Sequence, residues 1–267
     1  MGQILNDTLS QIYENLGDEI KNLNVQRVVV GLFFTGVKLS NGVCGVSYTP
    51  LKSFPQAVCC PSQAAVMPNS GNICGKNVKT PLKDLSSDSP IKKTIAVAAL
   101  NALSQTCYER SGSPYVTKFK ADPFDELAIK RSSFSVIVGA LVPYIKFMMK
   151  NGLDFRILEL DKSTLKGDEL KYFIPQECAA DAVRAADNLI ITGVTLLNDT
   201  LEEILSLKKT SSSVRPSHAS KSLFDRGVSC ADGRVFGHDR AGGLGVSFFG
   251  KFARKFLMNR ESQVSKI

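Results

Sequence analysis

Apolar positions change period along the chain, and the changes mark out its elements. Leu5, Leu9, Ile12, Leu16, Ile20 and Leu23 recur every three or four residues, which predicts one amphipathic helix over about residues 4–23. The run VQRVVVGLFFTGVKL then turns β-branched and aromatic, and Ser40-Asn41-Gly42 leads it back into VCGVSYT. That pattern predicts an antiparallel hairpin with a further bend at Thr35-Gly36. Residues 50–78 are dense in proline and glycine without a period, so they read as a long loop. Thr80-Pro81 opens a short helix to Leu85, and Ser89-Pro90 opens a longer Ala-rich one, IKKTIAVAALNALSQTCYER, that carries Asn101 on an apolar face.

Ser111-Gly112-Ser113-Pro114 marks a boundary between units spanning residues 1–112 and 113–267. Beyond it the pattern alternates. FSVIVGA (134–140) is a continuous apolar strand, Pro143 starts a helix that Asn151-Gly152 stops, FRILEL (155–160) is a strand and CAADAVRAA (178–186) a helix. NLIITG (188–193) is a third buried strand, followed by a helix from about Asn198 to Leu207. Strands alternating with helices predict a mostly parallel sheet with helices on both faces. After Lys209 the pattern allows a fourth strand ending at Pro216, a short helix, a fifth strand in VSCADGRVF and a terminal element.

The 267 residues, 43% apolar and 22% charged, describe a chain that buries real cores. No apolar run is long enough for a membrane span, and the acidic, polar N-terminus does not read as a signal peptide, so a cytoplasmic protein is expected. The seven cysteines are odd in number and scattered, which fits a reducing compartment rather than a disulfide framework. Residues 208–267 hold twelve Lys or Arg against four Asp or Glu, the whole of the +8 net charge. There Arg240, Lys251, Arg254 and Lys255 interleave with Phe248, Phe249, Phe252 and Phe256, but a phenylalanine stripe at helical spacing is more often core. Nucleic acid is therefore disfavoured as a partner, a small-molecule ligand is favoured, and a homo-oligomer stays open.

Parallel sheets bind ligands outside the carboxyl ends of their strands, here Gly139, Glu159 and Gly193. Gly139 and Glu159 stand at the spacing that sets an acid against ribose hydroxyls, yet VGALVPYI has one glycine where a dinucleotide fingerprint has three. This leaves a nucleoside-type ligand open and disfavours a dinucleotide. ITGVTLLNDT (191–200) runs from a buried strand through a glycine into hydroxyl and amide side chains, as a turn holding a carboxylate or phosphate would. Thr200 with Glu203 also fits a capping box, which would make Asn198, Asp199 and Thr200 a helix start alone. Cys59, Cys60 and Cys74 on the long loop are weak candidates for a soft metal, without the CxxC spacing of a zinc site.

The segment ADNLIITGVTLLNDTLEEIL (186–205) resembles the T-G-x-T-L-x-N-x-T motif of a bacterial and archaeal family named for heavy-metal chelation. VVVGLFFTGVKLSNGVCGVSYT, VAALNAL and FSVIVGALVPYI followed by LEL are similar to further parts of it. The resemblance implies an enolase N-terminal-like α+β domain, then a Rossmann-like α/β domain, with a site in the cleft between them. It implies handling or synthesis of a metal-chelating small molecule, or direct binding of a heavy metal through cysteines without catalysis. Carried over by position, Thr35, Asn101, Gly139, Glu159, Gly193, Thr195, Asn198 and Thr200 are the expected ligand-binding residues, with Glu159 the best candidate for a catalytic acid or base. The departure is Arg215-Pro216-Ser217, where the family has a glycine in place of the arginine.

Overall fold

The computed structural model describes residues 2–53, 71–112 and 129–207, together with the two short strands at 234–235 and 246–247. The expectations for Cys59, Cys60, Arg215 to His218, the fourth strand and the basic phenylalanine-rich segment lie outside these residues.

The first stripe forms helix α1 (Gln3–Leu16), which buries Ile4, Leu5, Ile12 and Leu16. Gly17 ends it at φ 50, and residues to Asn22 continue as a 3-10 turn, so the single helix expected to residue 23 is two pieces. Strands β1 (Val25–Val30), β2 (Phe34–Leu39) and β3 (Cys44–Tyr48) make an antiparallel sheet in that order. The bend predicted at Thr35-Gly36 is not there. Both residues pair within β2, and the chain reverses at Gly31 to Phe33 instead, where Gly31 N–H donates to Phe34 O over 2.9 Å.

A short helix α2 (Lys79–Leu82) leads to helix α3 (Pro90–Ser111), whose residues from Thr94 to Thr106 are buried without a break. Such a helix belongs in the middle of a core. It lies against β3 so closely that a Cβ on Gly45 would stand 2.3 Å from Ala102 N and Ala98 O. Its side chains also cover the outer edge of that strand, Asn101 Nδ2 donating to Val46 O (2.8 Å) and Thr94 Oγ1 to Tyr48 O (3.2 Å). Those carbonyls point away from β2 and would otherwise be buried without a partner.

The second half forms a parallel sheet of β4 (Ser135–Val138), β5 (Phe155–Leu158) and β6 (Asn188–Ile191), ordered β5-β4-β6. Helix α4 (Val142–Lys150) joins β4 to β5, helix α5 (Ala179–Ala185) joins β5 to β6, and helix α6 (Leu201–Ser206) follows β6. Side chains alternate as strand geometry requires. Ile137, Ile157 and Ile190 pack on Tyr144, Ile145 and Met148 of α4, while Val136, Val138, Leu158, Leu189 and Ile191 face the other way. The second face shares one continuous apolar cluster with α5, α6, α1, α3 and the antiparallel sheet. Helices therefore cover both faces, and the chain is a mixed α/β protein with an antiparallel sheet before a parallel one. The strands Arg234–Val235 (β7) and Val246–Ser247 (β8) pair with one another antiparallel.

Candidate functional site

β4 lies between its two successors, so the connection to β5 leaves on one side and β6 returns on the other. This is a topological switch point, and in open α/β sheets the ligand crevice lies outside the strand ends there. Gly139, Ala140, Glu159 and Thr192 meet at this place. Gly139 follows β4 at φ 96, and a Cβ on it would stand 2.6 Å from Cγ2 of Thr192, so only glycine fits between the ends of β4 and β6. Half-buried Glu159 bridges the loops after β4 and β5: Oε2 accepts from Ala140 N–H (2.7 Å) and Oε1 from Asp161 N–H (3.1 Å). The Ala140 donor, which opens the approach to α4, is thus held by a carboxylate of the chain itself.

The antiparallel half reaches the same place through Lys52, which pairs with Asp161 across 109 residues of sequence. The Lys52 ammonium and the donors of Ser163 hold the Asp161 carboxyl down at about 2, and Asp161 in turn raises the Lys52 ammonium, with smaller help from Tyr48 and Glu159. Thr35, expected to touch a ligand, lies beneath this wall. Its buried hydroxyl shares a 2.9 Å hydrogen bond with Thr49, three residues ahead of Lys52.

ITGVTLLNDT divides between two jobs. Thr192 and Gly193 stand at the strand ends. The donors that follow turn inward in a 3-10 turn (Gly193–Leu196), with Thr192 Oγ1 accepting from Val194 N–H, and Thr195 Oγ1 donating to Thr192 O over 2.6 Å. Asn198 Oδ1 accepts from both N–H and Oγ1 of Thr200 (3.3 and 2.7 Å). Thr200 makes no side-chain cap, so the capping box expected with Glu203 does not form.

The acids of this segment serve α1 instead. Asp199 accepts from Gly2 N–H (3.1 Å) and Glu202 from Ile4 N–H (2.6 Å), two carboxylates against the positive end of a helix that has no cap of its own. Asp199 also takes Nζ of Lys93, whose side chain is 8% exposed, over 2.5 Å, and does so in the left-handed region at φ 58. The joint lined by Gly2, Leu5, Leu196, Leu201 and Glu202 is too tight to admit water. It is a latch between the halves. Sequence reasoning missed Lys52, Asp161, Lys93, Asp199 and Glu202 as functional partners, because each acts across 106 residues of sequence or more.

Family profiles described as "Putative heavy-metal chelation" match residues 13–104 (DUF4213) and 122–215 (DUF364). The chain belongs to this family. An uncharacterised protein of Methanocaldococcus jannaschii is 29% identical over 143 residues, a stretch that spans 50% of this chain and 49% of that relative. A DUF364-family protein of unknown function from Pyrococcus horikoshii shares the fold at TM-score 0.55 and 18% identity, over 80% of this chain and 77% of that one. A second from Desulfitobacterium hafniense gives TM-score 0.58 and 18% identity, over 82% and 85%.

The described residues hold four of the seven cysteines and neither histidine. No group of three or more His, Cys, Asp or Glu is gathered among them. Cys74 and Cys178 are exposed, and Cys44 and Cys107 are half-buried thiols raised by burial, Cys107 to about 11. Among the described residues no helix is long and apolar enough to cross a membrane.

Proposed function

We propose that the chain binds a small polar metabolite outside the ends of β4, β5 and β6, under the wall formed by the segment that carries Lys52. The meeting of Lys52 with Asp161 beside Glu159 supports this most directly, because it sets a cation from one half against acids of the other at a switch point. Each oxygen of Glu159 gives one backbone N–H a bond and keeps acceptor capacity, so this carboxylate is aimed before any ligand arrives. It would take a hydroxyl or amine, and Lys52 would exchange Asp161 for an acidic group of the ligand. A nucleoside- or pterin-like compound carries such hydroxyls and amines, and one that also bears a carboxylate or phosphate would satisfy Lys52. A dinucleotide fits less well, since the Ala140 N–H that would face a phosphate is already bonded. With the family's description, the compound would belong to the making or handling of a metal chelator.

Thermal shifts with pterins, nucleosides and S-adenosylmethionine on the wild type, Glu159→Gln and Lys52→Ala test this. A compound at about 100 times its dissociation constant stabilises by about 2.7 kcal/mol. Its effect should shrink in both variants, each measured against its own ligand-free midpoint. A compound that stabilises all three proteins equally binds elsewhere and would end the reading.

A further inference from the structure

The two edges of the antiparallel sheet are treated differently. The edge of β3 is covered by Asn101 and Thr94 of α3. The edge of β1 is covered only at its start, where Val25 N–H donates to Lys76 O and Gly75 N–H to Val25 O, both 2.8 Å. Beyond Gln26 and Arg27 the strand runs Val28-Val29-Val30 and the turn Gly31-Leu32-Phe33 follows, without the further charges or proline that natural edges use against association. Val29, Leu32 and Phe33 are 46, 61 and 56% exposed, three of the seven large apolar side chains exposed among the described residues.

The register says which backbone groups are free. Gly31 N–H donates to Phe34 O, so these two form a hydrogen-bonded pair, and alternation makes Val29 with Gly36 and Arg27 with Lys38 the next such pairs. The N–H and C=O of Val28 and Val30 therefore point away from β2, and among the described residues nothing pairs with them.

We propose that a second copy of this chain pairs along this edge, its β1 antiparallel to the first about a two-fold axis through Val29. In that register Val28 of each copy opposes Val30 of the other, so every outward group meets its complement. Val29 meets its own symmetry mate on the outer face. Arg27 falls opposite Gly31, so no like charges face each other. Val28 and Val30, only partly buried against the core, gain cover on the inner face. A strand of another protein could use the same groups, but the symmetry of Val28-Val29-Val30 about its middle residue favours the copy. The sheet becomes six-stranded across the pair, and its closed edges are the β3 edges under α3.

Analytical ultracentrifugation of the full chain tests the proposal. A contact confined to one short strand edge makes a weak dimer, so the mass should rise from 29.0 kDa towards twice that between about 1 and about 100 µM. Val29→Lys sets two ammonium groups opposite one another at the axis. Val30→Pro removes an outward N–H while leaving the ladder to β2 intact, a substitution that edge strands tolerate. Each should weaken dimerisation at least about tenfold with the circular dichroism unchanged, and Val29→Thr should leave it nearly as in the wild type. A wild type that stays at 29.0 kDa throughout overturns the proposal, as does a dimer that survives both substitutions. If one variant fails to fold, the other decides.

Discussion

Asp199→Ala should be far more damaging than its surface position suggests. The substitution removes the partner of Lys93, whose side chain is 8% exposed, while Asp199 itself is 40% exposed. Stranding one charge of a fully buried pair costs about 3 to 5 kcal/mol. Water that reaches Asp199 weakens this to roughly 2 kcal/mol. The bond to Gly2 N–H adds about 0.5 to 1 kcal/mol, and alanine at φ 58 adds a similar strain that aspartate bears more easily. The expected loss is about 3 kcal/mol, or roughly 6 to 12 °C in the melting midpoint of a chain this size. Differential scanning calorimetry of Asp199→Ala, Lys93→Met and the double variant measures it. The double variant should lose about 2 kcal/mol less than the two single losses taken together, since no charge is then stranded. Asp199→Asn should cost less than Asp199→Ala, because it keeps the tolerance of left-handed backbone and an acceptor for Gly2 while still leaving Lys93 without its counter-charge. A loss below about 0.5 kcal/mol that is the same with and without Lys93 would refute the latch.

Three further outcomes follow from other contacts. Gly45→Ala should cost more than about 3 kcal/mol, because its Cβ meets backbone atoms of α3 at 2.3 Å, whereas Gly152→Ala, with φ 60 and open space around it, should cost about 1 kcal/mol; chemical denaturation compares them. Alkylation at pH 8 followed by mass spectrometry should label exposed Cys74 and Cys178 well before Cys107, whose half-buried thiol titrates only near 11; equal rates would contradict that. The Asp161 carboxyl, lowered from 3.8 to about 2, favours the folded joint above its ordinary value, and this is lost as pH falls through about 2; the midpoint of its carbon resonance should rise part of the way back in Lys52→Ala, the Ser163 donors still holding it down, and an unchanged midpoint would count against the contact.

Much of the architecture is legible in the periods of the sequence, because parallel strands buried on both faces read as unbroken apolar runs and amphipathic helices as stripes. FSVIVGA, FRILEL and NLIITG lie where β4, β5 and β6 do, to within a residue or two at each end. The hairpin bend is the instructive miss. Leu32 and Phe33 turn the chain although neither is a turn residue, so the apolar run hides the reversal while the glycine at 36 suggests a false one. In the candidate site, Gly139 and Glu159 could be found because their roles are local to strand ends. Asn101 carries a ligand-like signal, an amide on an apolar helix, and its amide nitrogen is spent on the Val46 carbonyl. Lys52 has no signal at all, since its meaning comes from Asp161, 109 residues away. The capping box at Thr200 fails for a related reason: the helix start it would have served is governed by a distant partner, the end of α1.

The most direct test of the proposed site is a crystal structure with whichever compound gives the largest Glu159-dependent stabilisation. A hydroxyl or amine of that compound should lie within hydrogen-bond distance of the Glu159 carboxylate, at the ends of β4 and β5, with Lys52 turned from Asp161 towards an acidic group. A compound seated away from these strand ends, with the pair of Lys52 and Asp161 undisturbed, would contradict it.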